Sequence, residues 1–251
     1  MTWMEVFGCV GVAYGPPLAM FVFTIMSDPI RIIILIASAF FWLVALFLSS
    51  LLWFVLPLKT TLAFGIVSSV LFQEVFRFLI YKLLRKAEAG LKKVTIPNTN
   101  IEIACNKQVL AYVAGLGFGI MSGAFSLVNI IADLVGPGTV GLKGGYAMFS
   151  LTSAFMTMCF ILLHTFWGVI FFSAIDSNNL IYVSWVVISH ILVSGFSLFT
   201  QTILWLAVAP TLLILILNGY IAFILCGGTC KNCKNAFLCG QKTFVPCTSS
   251  T

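Results

Sequence analysis

His164 and His190 are the only histidines of this chain, and both fall inside apolar segments long enough to lie in lipid. An ionisable side chain at membrane depth is a functional candidate by default, because its charged form is costly there. His164 shares a helical face with Thr157, Trp167 and Gly168, whereas His190 opens a polar stripe with Ser194, Ser197 and Gln201. Two imidazoles can hydrogen-bond between helices, meet a partner subunit, or ligate a metal. The metal reading needs more ligands than these two supply.

Glu74 and Arg77 stand three apart in Gln73-Glu-Val-Phe-Arg77-Phe. That spacing makes an ion pair on one helix, and its place in the third apolar segment predicts a cytosolic-edge anchor. Asn129 and Asp133 end a further face. Ala111, Gly115, Gly119, Ser122, Ser126, Asn129 and Asp133 recur every three or four residues, with Gly123 beside them. Such a face is small, then increasingly polar. In lipid, a bare glycine stripe lets another backbone approach closely, and Asn and Asp require cover by protein. Helix packing or subunit assembly is the chemistry expected there.

Cysteines gather near the end of the chain at Cys226, Cys230, Cys233, Cys239 and Cys247, interleaved with lysines. Cys230-Lys-Asn-Cys233 is half a zinc site with no second pair at ribbon spacing, so no metal is expected. Juxtamembrane Cys226, Cys230 and Cys233 suit reversible palmitoylation, or have no special role. The glycine-rich run from Gly136 to Gly145 lacks the Lys-Ser or Lys-Thr of a phosphate-binding loop. No Gly-x-Ser-x-Gly, His-Glu-x-x-His or paired-aspartate motif occurs. A catalytic set is missing, and nothing in the spacing provides for a cofactor.

The elements that must position these residues are membrane spans. The chain is 61% hydrophobic and 8% charged, with mean hydropathy +1.13, whereas soluble domains carry about 25% charged residues. Seven apolar segments are expected, near 2–26, 30–56, 62–84, 108–134, 148–175, 180–202 and 204–226. Pro210 marks either a kink in the seventh or its true start. The first segment lacks a basic leader and breaks at Gly15-Pro16-Pro17, so it is expected to remain as a kinked span.

Of the thirteen basic residues, only Lys59 and Lys143 fall in one set of connections; the other eleven cluster in the alternate set and the tail. The net charge of +6 therefore marks membrane topology rather than nucleic-acid binding. The expected architecture is an all-α integral membrane protein of seven transmembrane helices over 1–227, with a short cytosolic tail over 228–251. Its amino terminus is lumenal or extracellular and its carboxyl terminus cytosolic.

Long ordered runs carry a resemblance. They include Tyr14-Gly-Pro16, Ala39-Phe-Phe-Trp-Leu-Val44, Gln73-Glu-Val-Phe-Arg77, Ala111-Tyr-Val-Ala-Gly-Leu-Gly-Phe-Gly-Ile-Met-Ser-Gly123, Leu163-His-Thr-Phe-Trp-Gly168 and Ser189-His190. In these the chain closely resembles the anterior-pharynx-defective (Aph) family, the seven-span subunit of gamma-secretase. The resemblance implies a non-catalytic scaffold that binds presenilin, nicastrin and Pen-2, with the catalytic aspartates on presenilin. Implied substrates are type I membrane proteins such as Notch and the amyloid precursor protein. Implied locations are the endoplasmic reticulum, Golgi, plasma membrane and endosomes. It also implies that Gly115, Gly119 and Gly123 support assembly and that His164 and His190 contact presenilin. The rival readings are a polytopic transporter or channel, with His164, His190, Asn129 and Asp133 lining a polar path, or a heptahelical receptor. The Asp-Arg-Tyr and Asn-Pro-x-x-Tyr receptor signatures are missing and no inverted repeat is visible.

Overall fold

Helix starts are set by local chemistry. Asp28 caps the second helix: its carboxylate accepts the Ile30 backbone N–H at 3.0 Å, and Pro29 occupies the first turn, where its missing N–H costs nothing. Arg31 pairs with Asp28 at 3.0 Å and donates to the Thr24 carbonyl at 2.5 Å, which closes the tight connection from the first helix. Asn179 caps the sixth helix through the Ile181 N–H at 3.1 Å, after Asn178 turns the chain at φ 56°.

The computed structural model describes residues 3–56, 62–94, 106–135, 149–201 and 203–229, with the side chains of 62, 91–94, 129–135 and 201 outside that description. Among the described residues there are seven α-helices and no strand: α1 Trp3–Thr24, α2 Pro29–Val55, α3 Leu62–Val94, α4 Lys107–Val135, α5 Phe149–Asp176, α6 Leu180–Phe196 and α7 Leu204–Leu225. A 3₁₀ turn, Ser197–Gln201, joins α6 to α7. All seven helices are long and apolar enough to cross a membrane, as a multi-pass membrane protein requires.

One helix outruns its apolar segment. Helix α3 continues to Val94, past the expected end near 84. Its last turns, Lys82–Val94, are rich in Leu, Lys, Arg, Ala and Glu, which sustain a helix after the apolar stretch has ended. Helix α7 begins at Leu204, so Pro210 lies within it, as Pro16 and Pro17 lie within α1.

Burial is uneven. In its most apolar window α5 is 67% buried and α4 56%, against 22% for α1 and α7. Helix α5 packs on α1, α4, α6 and α7, while α4 also packs on α2, and α2 on α3. The outer helices leave large apolar side chains uncovered, among them Phe23, Phe54, Ile181, Trp205 and Leu213. That is the expected condition of a face turned to lipid or to another membrane helix.

Candidate functional site

Close approach of α4 and α5 is made by glycine. A Cβ on Gly115 would lie 2.8 Å from the Thr165 carbonyl oxygen and 2.9 Å from that of His164. One on Gly119 would lie 2.5 Å from the Ile161 carbonyl oxygen, and one on Gly168 would lie 2.7 Å from the Gly115 Cα. The contact is therefore reciprocal, backbone against backbone. Gly123 faces the Ile161 side chain, which is more forgiving. On the opposite side of α4, Gly117 abuts the Leu35 carbonyl of α2, a close approach outside the stripe read from the sequence. The stripe at Gly115, Gly119 and Gly123 is thus occupied by α5 of the same chain and does not stand open for a partner. Ser122 is half-buried at its margin and Ser126 is exposed.

This approach delivers His164 to the interior, where it meets α3 and α6. His164 and His190 are 1% and 2% exposed, and their rings lie 5.0 Å apart, nearly perpendicular. Glu74 and Arg77, expected at a membrane edge, are equally sealed at 5% and 1%. With α3 extended to Val94, the pair lies in mid-helix, facing the histidines. Arg77 Nε and Glu74 Oε2 form an ion pair at 3.0 Å. Glu74 Oε1 meets His190 Nδ1 at 2.7 Å. Arg77 reaches α5, donating to the His164 carbonyl at 3.2 Å and to His164 Nδ1 at 3.0 Å.

Those contacts fix proton positions. Arginine has no acceptor, so His164 Nδ1 must accept, and its ring is neutral with the proton on Nε2. A carboxylate only accepts, so His190 Nδ1 donates to Glu74. Around the four, Trp167 stacks on His190 with centroids 4.3 Å apart and donates from Nε1 to Ser189 Oγ at 2.9 Å. Phe118 lies under the Arg77 guanidinium at 5.2 Å. Next along α3, Gln73 accepts from Trp42 Nε1 at 3.0 Å. The charges on both sides of the pair are thereby opposed, as a buried ion pair demands. The arrangement is suited to fixing α3, α5 and α6 in one register rather than to turnover.

Sequence similarity covers this whole architecture. The family model described as Aph-1 protein matches residues 4–229. The gamma-secretase subunit Aph-1 of Drosophila melanogaster is 52% identical over 240 residues, which cover 95% of this chain and 100% of the relative. The gamma-secretase subunit APH-1B of Homo sapiens is 46% identical over 255 residues, covering 98% and 97%. The gamma-secretase subunit aph-1 of Caenorhabditis elegans is 30% identical over 261 residues, covering 94% and 84%. The chain belongs to the Aph-1 family.

In this Aph-1 chain the remaining candidates divide. Asn129 and Asp133 lie on the last turns of α4, but their side chains are outside the described residues, as are Cys230 and Cys233 altogether. Cys226 follows α7 and is exposed. Among the described residues, no group of three or more His, Cys, Asp or Glu converges as a metal site.

The sequence reading missed that the two ion-pair residues and the two histidines form one cluster. A signal was available. Ser69, Gln73, Arg77, Tyr81 and Arg85 recur every four residues, so a single polar face runs along most of α3.

Proposed function

We propose that the chain is a non-catalytic scaffold subunit of a gamma-secretase, holding presenilin and nicastrin in an intramembrane protease. The observation that carries the proposal is near-full-length similarity to relatives that bear the name gamma-secretase subunit. The buried cluster supports a structural part: its four ionisable groups are used on one another, which leaves none poised for a reaction. His164 and His190 then act on presenilin indirectly, by fixing the helices whose outer faces it meets. Gly115, Gly119 and Gly123 serve assembly in the same way, by seating α4 on α5. On this reading the end of the bundle that carries Lys82, Arg85, Lys86 and Lys107 faces the cytosol, and the amino terminus faces the lumen. Substrates are the membrane stubs of type I proteins such as Notch and the amyloid precursor protein. The complex matures through the endoplasmic reticulum and Golgi to plasma and endosomal membranes.

The test is a mild-detergent pull-down of the tagged chain from cells, with bound proteins identified by mass spectrometry. Recovery of presenilin, nicastrin and Pen-2 in comparable amounts is expected. A solitary chain, or one holding unrelated partners, would overturn the assignment.

A further inference from the structure

One end of the bundle holds a polar cavity beside an apolar one. The first, with room for about 220 Å³, lies between α3, α4 and α5 and is lined by Arg85, Lys107, Gln108, Ser173, Asp176 and Ser177 among others. The second, about 650 Å³, lies between α4, α5 and α7, with Tyr112, Phe166, Gly219, Ala222 and Phe223 in its walls. Gln108 and Val169 belong to both, so the polar cavity and the apolar groove adjoin.

Two cations, Arg85 and Lys107, and one carboxylate, Asp176, line the polar cavity. Asp176 is taken up by Arg85, from Nε at 3.0 Å and from a terminal nitrogen at 2.5 Å, and it also accepts the Tyr81 hydroxyl at 2.7 Å. Arg85 further pairs with Glu88 at 3.1 Å, outside the lining. Among the described lining residues Lys107 is the cation left over, with the Gln108 amide and the Ser173 hydroxyl beside it, while the Ser177 hydroxyl donates to the Ser173 carbonyl at 2.8 Å. The site thus offers an exposed ammonium with no ion-pair partner among the described residues, and neutral donors, next to an apolar slot. An isolated phosphate ion would leave the slot unfilled, and an apolar helix would leave the donors unmatched.

We propose that this paired cavity is a binding site for one anionic glycerophospholipid. Its headgroup is held at Lys107, Gln108 and Ser173, and one acyl chain is laid against Phe166, Gly219 and Phe223. The contact that sets headgroup preference is Lys107; Gly219 sets the room for the chain. A Cβ on Gly219 would already come to 3.3 Å from the Phe166 ring, so a larger side chain there closes the groove.

The experiment uses the full-length chain with whatever subunits co-purify, placed in phosphatidylcholine vesicles. These contain a trace of a phosphatidylserine or a phosphatidylcholine that carries a photoreactive acyl chain. Labelled peptides are mapped by mass spectrometry. The phosphatidylserine probe is expected to label residues 106–112 and 219–226 more strongly than the phosphatidylcholine probe. Lys107→Gln should lower that label about fivefold, the worth of one lysine at an anionic surface. Gly219→Leu should remove both labels from the groove, and Gln108→Glu, which repels the headgroup without touching the helix contacts, should remove the phosphatidylserine preference. Equal labelling by both probes would overturn the proposal. So would labelling unchanged in Lys107→Gln and Gln108→Glu, or labelling that inorganic phosphate competes away. None of these outcomes depends on which subunits are bound, so the lipid site and the scaffold assignment fail separately.

Discussion

Helix α3 carries two charged clusters about two turns apart, and they are built from the same kinds of group to different ends. In mid-helix, Glu74 and Arg77 are sealed against His164 and His190. Toward the helix end, Arg85 meets Asp176, Glu88 and Tyr81 with its side chain 16% exposed and that of Asp176 22%. Water reaches the second and not the first. The inner cluster must therefore be complete, because every unmatched charge there is stranded. The outer one can lose a member and be repaired by solvent. A polar face that reads as one stripe in sequence thus becomes a lock at its centre and an adjustable rim at its end.

The largest effect is expected from breaking the lock. Glu74→Ala leaves the Arg77 guanidinium and the His190 Nδ1–H buried without a carboxylate, a loss of about 3–5 kcal/mol. The chain should fail to accumulate, or should unfold well below the parent temperature in detergent. Converting the pair together, with Glu74→Gln and Arg77→Met, should recover much of the loss, since no lone charge remains. If Glu74→Ala alone melts with the parent, the cluster is reached by water and the contrast with the outer one disappears.

The lock can also be opened from behind without touching a charge. Gly115 lies against the His164 carbonyl, the same oxygen that accepts from Arg77. Valine at Gly115 must displace α5 backbone, which has no free rotamer with which to yield, so about 1–3 kcal/mol of destabilisation is expected. Alanine at Gly90 on the outer part of α3, where a Cβ would meet nothing within 4 Å, should be neutral or slightly stabilising. Thermal unfolding of the two variants side by side measures the difference. Equal melting temperatures would show that α4 and α5 separate freely.

Much of this was legible in the sequence, and the parts that were not share a cause. Seven spans followed from apolar runs, because the length needed to cross lipid is a property of the chain alone. The close packing of Gly115 and Gly119 followed from their spacing, but its object did not: a bare helical face is equally available to α5 and to another subunit. Glu74 and Arg77 read as an edge pair because the apolar run ends near 84, and only the fold shows that both are sealed inside the bundle. His164 and His190 looked isolated because each sits on its own helix, and only the fold brings α3, α5 and α6 together. What sequence withheld was the partner of each polar group, which is a long-range fact.

The smallest effect is expected at the rim, where Asp176→Asn is the sharpest probe. Asparagine keeps an oxygen for the Tyr81 hydroxyl and for Arg85 Nε, and Arg85 retains Glu88; what is lost is the charge and the one bond from the Arg85 terminal nitrogen, at a site where water can replace it. With both side chains partly exposed, the loss should be less than about 1 kcal/mol and should shrink further as salt rises. The Glu74→Ala loss should be nearly independent of salt, because ions do not enter the sealed interior. Melting in low and high salt therefore separates the two clusters more cleanly than the size of either shift. The same substitution also removes the carboxylate from the lining of the polar cavity, which leaves the charges of Arg85 and Lys107 less opposed there. Phosphatidylserine labelling of residues 106–112 should then rise in Asp176→Asn while stability barely changes, an increase that a purely structural rim would not produce.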